Sequence, residues 1–145
     1  MLDRAWIAAR IPHQGSMCLL DRVVEWSPER IRCASSTHRS PDNPLRDADR
    51  LGVACGIEYA AQAMAVHGAL VAGSDAAPRQ GFLASARNLE LKVDRLDDIA
   101  GDLDIVAERI SGDGNNVLYG FEVRGDERLL LSGRAAVILD AEMLK

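Results

Sequence analysis

The chain has 145 residues, 48% hydrophobic and 27% charged, a composition for one folded domain over 1–145 with a real core rather than a disordered tract. Its net charge of -5 and the lack of a basic tract exclude a nucleic-acid binder that works by neutralising phosphates. Three cysteines, Cys18, Cys33 and Cys55, form no C-x-x-C pair, and His13, His38 and His67 have no tight ligand spacing. Reduced thiols and no metal site are therefore expected. The N-terminus carries no secretory pattern, which points to the cytoplasm.

In chain order, "MCLLDRVVEW", "SPER" and "IRCASST" predict two strands joined by a turn. "HRSPDNPLRDADR" is too rich in Pro, Asp and Asn for a helix or an inner strand and predicts a loop, with Arg39, Arg46 and Arg50 paired to Asp42, Asp47 and Asp49. Those arginines could alternatively receive a pantetheine phosphate or an acidic carrier protein.

From Gly56 to about Ala72 the apolar residues recur at helical spacing, and the positions between them are apolar too, so a buried helix is expected. The run contains Glu58, Gln62 and His67, which argues against a membrane span. "GSDAAPRQG" closes the helix. "NLELKVD", "NVLYGFEVR" and "RLLLSGRAAVIL" then alternate at period 2, and "SGDGNN" and "RGDER" supply turns, so a meander of about four antiparallel strands follows. The inward residues are expected to be Leu89, Leu91 and Val93, then Val117, Tyr119, Phe121 and Val123, then Leu129, Leu131, Ala135 and Val137. The fold class is α+β, a sheet curled around one long helix.

Glu58 is the only carboxylate in this helix. One reading is electrostatic, because the first turn of a helix favours an anion. The other is chemical: Gln62, four residues on, lies about 40° around the helix and can share a site with Glu58, whereas His67 lies roughly 180° away. His38 opens the polar loop and can be carried over the helix start of its own chain or of a neighbour. An imidazole, a carboxyl and backbone N–H groups suffice for proton abstraction beside a thioester carbonyl. Cys55, just before the helix, is either a nucleophile or a small buried hydrophobe.

"IPHQGSMCLLDRVVEW" and "GIEYAAQA" resemble the hot-dog-fold 3-hydroxyacyl-(acyl carrier protein) dehydratases. With "NPLRDAD" ahead of the helix, the chain most resembles the divergent branch associated with aryl polyene clusters. The resemblance implies a hot-dog fold, removal of water from a 3-hydroxyacyl thioester on an acyl carrier protein or CoA, and no cofactor. It assigns catalysis to His38, Glu58 and Gln62, and substrate binding to Gly52, Cys55 and Gly56, with Gly52 or Gly56 offering an N–H to the thioester oxygen. It also implies a dimer in which His and Glu meet across the interface, either a homodimer or a heterodimer with a related dehydratase.

Thr37 stands where the family has Gly before the His, and "RSP" replaces F-P-G. These departures motivate one alternative, a non-catalytic partner subunit of a dehydratase heterodimer; an acyl thioesterase, with Glu58 activating water, is a neighbouring possibility on the same fold.

Overall fold

The computed structural model describes residues 2–11, 15–72, 82–112 and 116–138. A short helix α1 (Arg4–Ala8), capped by the Asp3 carboxylate on Trp6 N–H, leads to the hairpin β1 (Arg22–Ser27) and β2 (Arg30–Ser35). The loop that follows contains a 3-10 turn at Thr37–Arg39. A second 3-10 turn, Val53–Cys55, runs into the long helix α2 (Gly56–Ala72). Four strands complete the described chain: β3 (Phe82–Leu91), β4 (Leu103–Gly112), β5 (Asn116–Gly125) and β6 (Arg128–Ile138).

The six strands form one antiparallel sheet in the order β1-β2-β4-β5-β6-β3. The meander is thus β4-β5-β6, while β3 crosses the sheet and pairs with β6 instead of with its successor. Helix α2 packs on β2, β4 and β5. This is the hot-dog fold, with the sheet wrapped around the central helix. Among the described residues no helix is long and apolar enough to cross a membrane, and no cluster of His, Cys, Asp and Glu could hold a metal ion.

The sheet side of α2 is closed. Tyr59, Ala60, Gln62, Ala63, Met64, Val66 and His67 are buried, and Gly56 lets the helix start meet β6, since a Cβ there would lie 2.3 Å from a Leu131 methyl carbon. The opposite stripe of Ile57, Glu58, Ala61, Ala65 and Gly68 stays half-exposed. An all-round apolar helix is therefore only partly enclosed by its own sheet.

Two strands depart from simple alternation. Asn88 adopts φ 54° where the β3–β6 register shifts, and Leu89 and Leu91 face solvent on this edge strand, so they are not core residues. In β6 a register shift opposite Val123–Arg124 buries Leu130 and leaves Leu129 half-buried. A bulge inverts the inside-outside pattern by one residue, which period-2 counting cannot anticipate. Val117, Tyr119, Phe121, Val123, Leu131, Ala135 and Val137 are buried as expected, and Val93 packs against the core. The closing segment after α2 and the "DGN" turn fall outside the described residues.

Candidate active site

The first expected strand begins late, at Arg22, because the backbone before it is held by side chains. Gln62 accepts from Leu19 N–H through Oε1 (2.9 Å) and donates through Nε2 to Met17 O (2.7 Å). The same Nε2 lies 3.4 Å from Glu58 Oε1. Gln62, fully buried, therefore pins residues 17–19 and at the same time sets an N–H beside the Glu58 carboxylate. Glu58 itself is half-exposed at the open stripe of the helix.

Leu19 O receives the hydroxyls of Ser35 and Thr37, which ties the end of β2 to the same segment. From there a directed chain of hydrogen bonds builds the loop. Asn43 Nδ2 donates to Thr37 O (3.0 Å) and to Tyr59 Oη (2.9 Å), so the Tyr59 hydroxyl donates onward to Thr37 Oγ1 (2.8 Å). Asn43 Oδ1 takes Leu45 N–H (2.9 Å). Tyr59 is fully buried and next to Glu58, so one turn of helix carries both the half-exposed carboxylate and the phenol that holds the loop. An aromatic residue with a hydroxyl in an aliphatic helix was the available signal for this clamp, since a buried phenol needs a partner.

The clamp sets down His38, which is 0% exposed. Its Nε2 lies 2.9 Å from Ile99 O, a contact in which only an Nε2–H can donate. Nδ1 is then the bare acceptor, and it is buried with no hydrogen-bond partner among the described residues. Burial lowers the imidazole pKa, and the backbone of Ile99 and, more weakly, of Gly101 opposes that shift in part. The arrangement is a neutral base with one lone pair uncommitted.

The loop arginines turn inward. Arg46 donates to the carbonyls of His38 (3.2 Å), Ser40 (2.8 Å) and Asp49 (3.2 Å), and Arg39 binds Ala100 O and the Asp102 carboxylate. Arg50 reaches Asp94 O at 3.4 Å. The expected pairing with Asp42, Asp47 and Asp49 side chains is replaced by backbone carbonyls and by Asp102, because a strand-free loop leaves many carbonyls unsatisfied.

At the helix start, Cys55 N–H bonds Gly52 O (3.0 Å), and Gly56 N–H is directed at Val53 O and Ala54 O. The bridge between Gly52 and Arg95 is formed by their neighbours, Val53 N–H to Asp94 O and Leu96 N–H to Leu51 O. It leaves Gly52 N–H without a backbone carbonyl among the described residues. A Cβ at Gly52 would meet open space. The Cys55 thiol is half-buried with its pKa raised by desolvation, the condition of a thiol and not of an activated thiolate.

His38 bonds Ile99 and not Glu58, so within one protomer the two proposed partners are not hydrogen-bonded to each other. His67 sits elsewhere, between Tyr119 Oη (2.7 Å) and Ser27 O (2.8 Å), and His13 lies outside the described residues. A groove of about 850 Å³ lies on the outer face of the sheet, lined by Arg32, Asp104, Val106, Glu122 and Arg134 among others, and involves none of the site residues.

Among solved structures the fold is similar to the dehydratase heterocomplex ApeI:P from Xenorhabdus doucetiae. The TM-score is 0.79 at 23% identity, over 94% of this chain and 92% of that one. It is also similar to AziG from S. sahachiroi (TM-score 0.61, 12% identity, 81% and 89% covered). A third likeness is a hypothetical thioesterase with coenzyme A from Streptococcus pneumoniae (0.59, 10%, 81% and 84%). No curated protein matches the chain. The family described as ApeP dehydratase matches residues 5–144, nearly the whole chain, and the protein therefore belongs to the ApeP-like dehydratases.

Proposed function

We propose that this chain is one subunit of a two-chain hot-dog dehydratase that removes water from a 3-hydroxyacyl thioester carried by an acyl carrier protein or CoA. The observation that carries the reading is His38, fully buried, held in one tautomer by Ile99 O, with Nδ1 unpartnered. An orphaned buried nitrogen costs stability and is retained where it has a chemical task.

In this reading Nδ1 takes the proton from C2 of the acyl group and a protonated carboxyl delivers one to the 3-hydroxyl. The C2–H and C3–O bonds break, C2=C3 forms, and water leaves. The proton then returns from the imidazolium to the carboxylate through solvent. Glu58 is the carboxyl this chain offers, with Gln62 Nε2 beside it, and Gly52 N–H, taken by no backbone carbonyl among the described residues, is a donor available to the thioester oxygen.

A partner subunit is supported by three features. One is the half-exposed stripe of α2. Another is the edge strand β3, with Leu83, Leu89 and Leu91 exposed. The third is the similarity to a dehydratase heterocomplex.

A second reading, a non-catalytic subunit that stabilises a conventional dehydratase, is favoured by Thr37 in place of glycine and by the committed N–H groups of Cys55 and Gly56. The test is turnover of a 3-hydroxyacyl carrier-protein thioester, followed by mass spectrometry, with the chain alone and with a related dehydratase subunit, each beside His38→Ala and Glu58→Gln. Loss of one water that depends on both residues supports the first reading. Water loss indifferent to both supports the second, and loss of the acyl group marks a thioesterase.

A further inference from the structure

The peptide group joining Ile99 to Ala100 is engaged at both ends. Its carbonyl receives His38 Nε2–H at 2.9 Å, and its N–H donates to Asp126 Oδ2 at 3.1 Å. The other carboxylate oxygen takes the next N–H, that of Gly101, at 3.0 Å. Gly101 permits the approach, since a Cβ there would lie 3.1 Å from Asp126 Oδ1.

We infer that Asp126 is a positioning residue for His38, acting through the Ile99–Ala100 peptide group as a carboxylate acts on the far nitrogen of a catalytic imidazole. The inference rests on the dehydratase reading only for what the imidazole does, not for how it is held.

The physical argument has two parts. A carboxylate at the N–H of a peptide polarises it and strengthens its carbonyl as an acceptor, and hydrogen-bond chains reinforce one another by roughly 10–30% per bond. A stronger acceptor at Nε2–H favours the tautomer that leaves Nδ1 bare, and it stabilises the imidazolium formed when Nδ1 takes a proton. Asp126 also fixes where the carbonyl points, because two adjacent N–H groups converge on one side chain.

The turn that carries Asp126 is a two-residue hairpin between β5 and β6, with φ 51° at Asp126 and 64° at Glu127. Asn and Gly are the residues best suited to that backbone, so an aspartate there is not required by the turn. Asn or Gly at 126 therefore removes the charge while keeping the hairpin.

Other charges face His38. Arg39 on its own 3-10 turn disfavours the imidazolium and Asp102 favours it, while Arg46 binds the His38 carbonyl. None of these three contacts the Ala100 N–H.

The experiment is NMR titration of the full-length protein with labelled histidine, comparing wild type, Asp126→Asn, Asp126→Gly and the control Glu122→Gln, an exposed carboxylate elsewhere on β5. In both Asp126 variants the His38 midpoint is expected to fall, by about 0.3 of a pH unit in Asp126→Asn. Protonated Nδ1 is expected to become detectable in its nitrogen signal, and the control is expected to match wild type. Folded Asp126 variants with unchanged midpoint and tautomer overturn the inference, and Asp126→Asn decides alone if the glycine variant loses the loop. Because the readout is the imidazole itself, a shift without any dehydration would remove the dehydratase reading and leave the Asp126 role standing, and the converse result would do the opposite.

Discussion

His38 and His67 are both fully enclosed, and burial lowers the pKa of each. Their wiring differs. His67 spends both nitrogens, Nε2–H donating to Ser27 O and Nδ1 accepting from the Tyr119 hydroxyl, whose own pKa burial pushes up to about 12. It ties the β1–β2 turn to α2 and β5. His38 spends one nitrogen and keeps the other unpaired among the described residues, beneath the loop that Asn43 and Tyr59 hold. A satisfied buried imidazole stabilises the fold, whereas a half-satisfied one lowers stability in exchange for a lone pair ready to accept a proton.

Substitution of the two histidines tests this contrast most directly. His38→Ala is expected to reduce dehydration by the two-subunit complex by about 10²–10⁴-fold, measured as single-turnover water loss, and to cost less stability than loss of His67, because only one group, Ile99 O, loses its partner. His67→Ala is expected to do the reverse. It opens a cavity and strands Tyr119 Oη and Ser27 O, costing about 2–4 kcal/mol in denaturant unfolding, with activity per folded molecule retained. Equal stability losses from the two would erase the distinction.

The next largest effect is at the helix. Gln62→Ala removes the partners of Leu19 N–H and Met17 O at once, and about 2–3 kcal/mol of stability is expected to go with them, alongside lost activity as Glu58 loses its neighbour.

Acid sensitivity sharpens the comparison further. Both imidazoles have folded-state values below the usual 6.5 or so. The neutral forms therefore contribute stability that is present above about pH 6.5 and is lost as the pH falls through the folded-state values. His67→Ala is expected to flatten this acid limb in pH-dependent unfolding. The rate of dehydration is expected to fall on acidification as Nδ1 of His38 becomes protonated, and that limb is expected to survive in the His67 variant.

Tyr59→Phe takes one hydroxyl from the clamp and leaves Asn43 and Thr37 each short of a partner. A loss of about 1–2 kcal/mol is expected, with kcat falling more than KM rises if the clamp positions His38. The smallest effect concerns the loop tip. Ala48 and Asp49 both have positive φ, 52° and 61°, between the paired ends Asp47 and Arg50. Ala48→Gly is expected to raise stability by about 1 kcal/mol by relieving the alanine.

Much of the candidate site was legible in residue types. A lone carboxylate and an amide four residues apart in an apolar helix announced a shared face, and the structure brings Gln62 Nε2 to Glu58 Oε1. What stayed hidden were partners made of backbone. Ile99 O, which selects the tautomer of His38, lies 61 residues away in sequence and carries no side-chain signature. Asp126 read as turn chemistry, and the Asn43 clamp read as loop composition, because neither spacing nor period links them to His38.

The sequence by itself determined the class of the fold, the extent of α2, the inward faces of β5 and much of β6, and the residue types available for acid-base chemistry. These follow from local periodicity and from the cost of burying polar groups, both of which act along the chain. The tertiary structure alone decided that β3 crosses to pair with β6, that bulges redirect Leu89, Leu91 and Leu130, and that of two buried histidines His38 keeps the free nitrogen. Those outcomes depend on which distant carbonyls and hydroxyls come within hydrogen-bond reach, and only the closed fold brings them together.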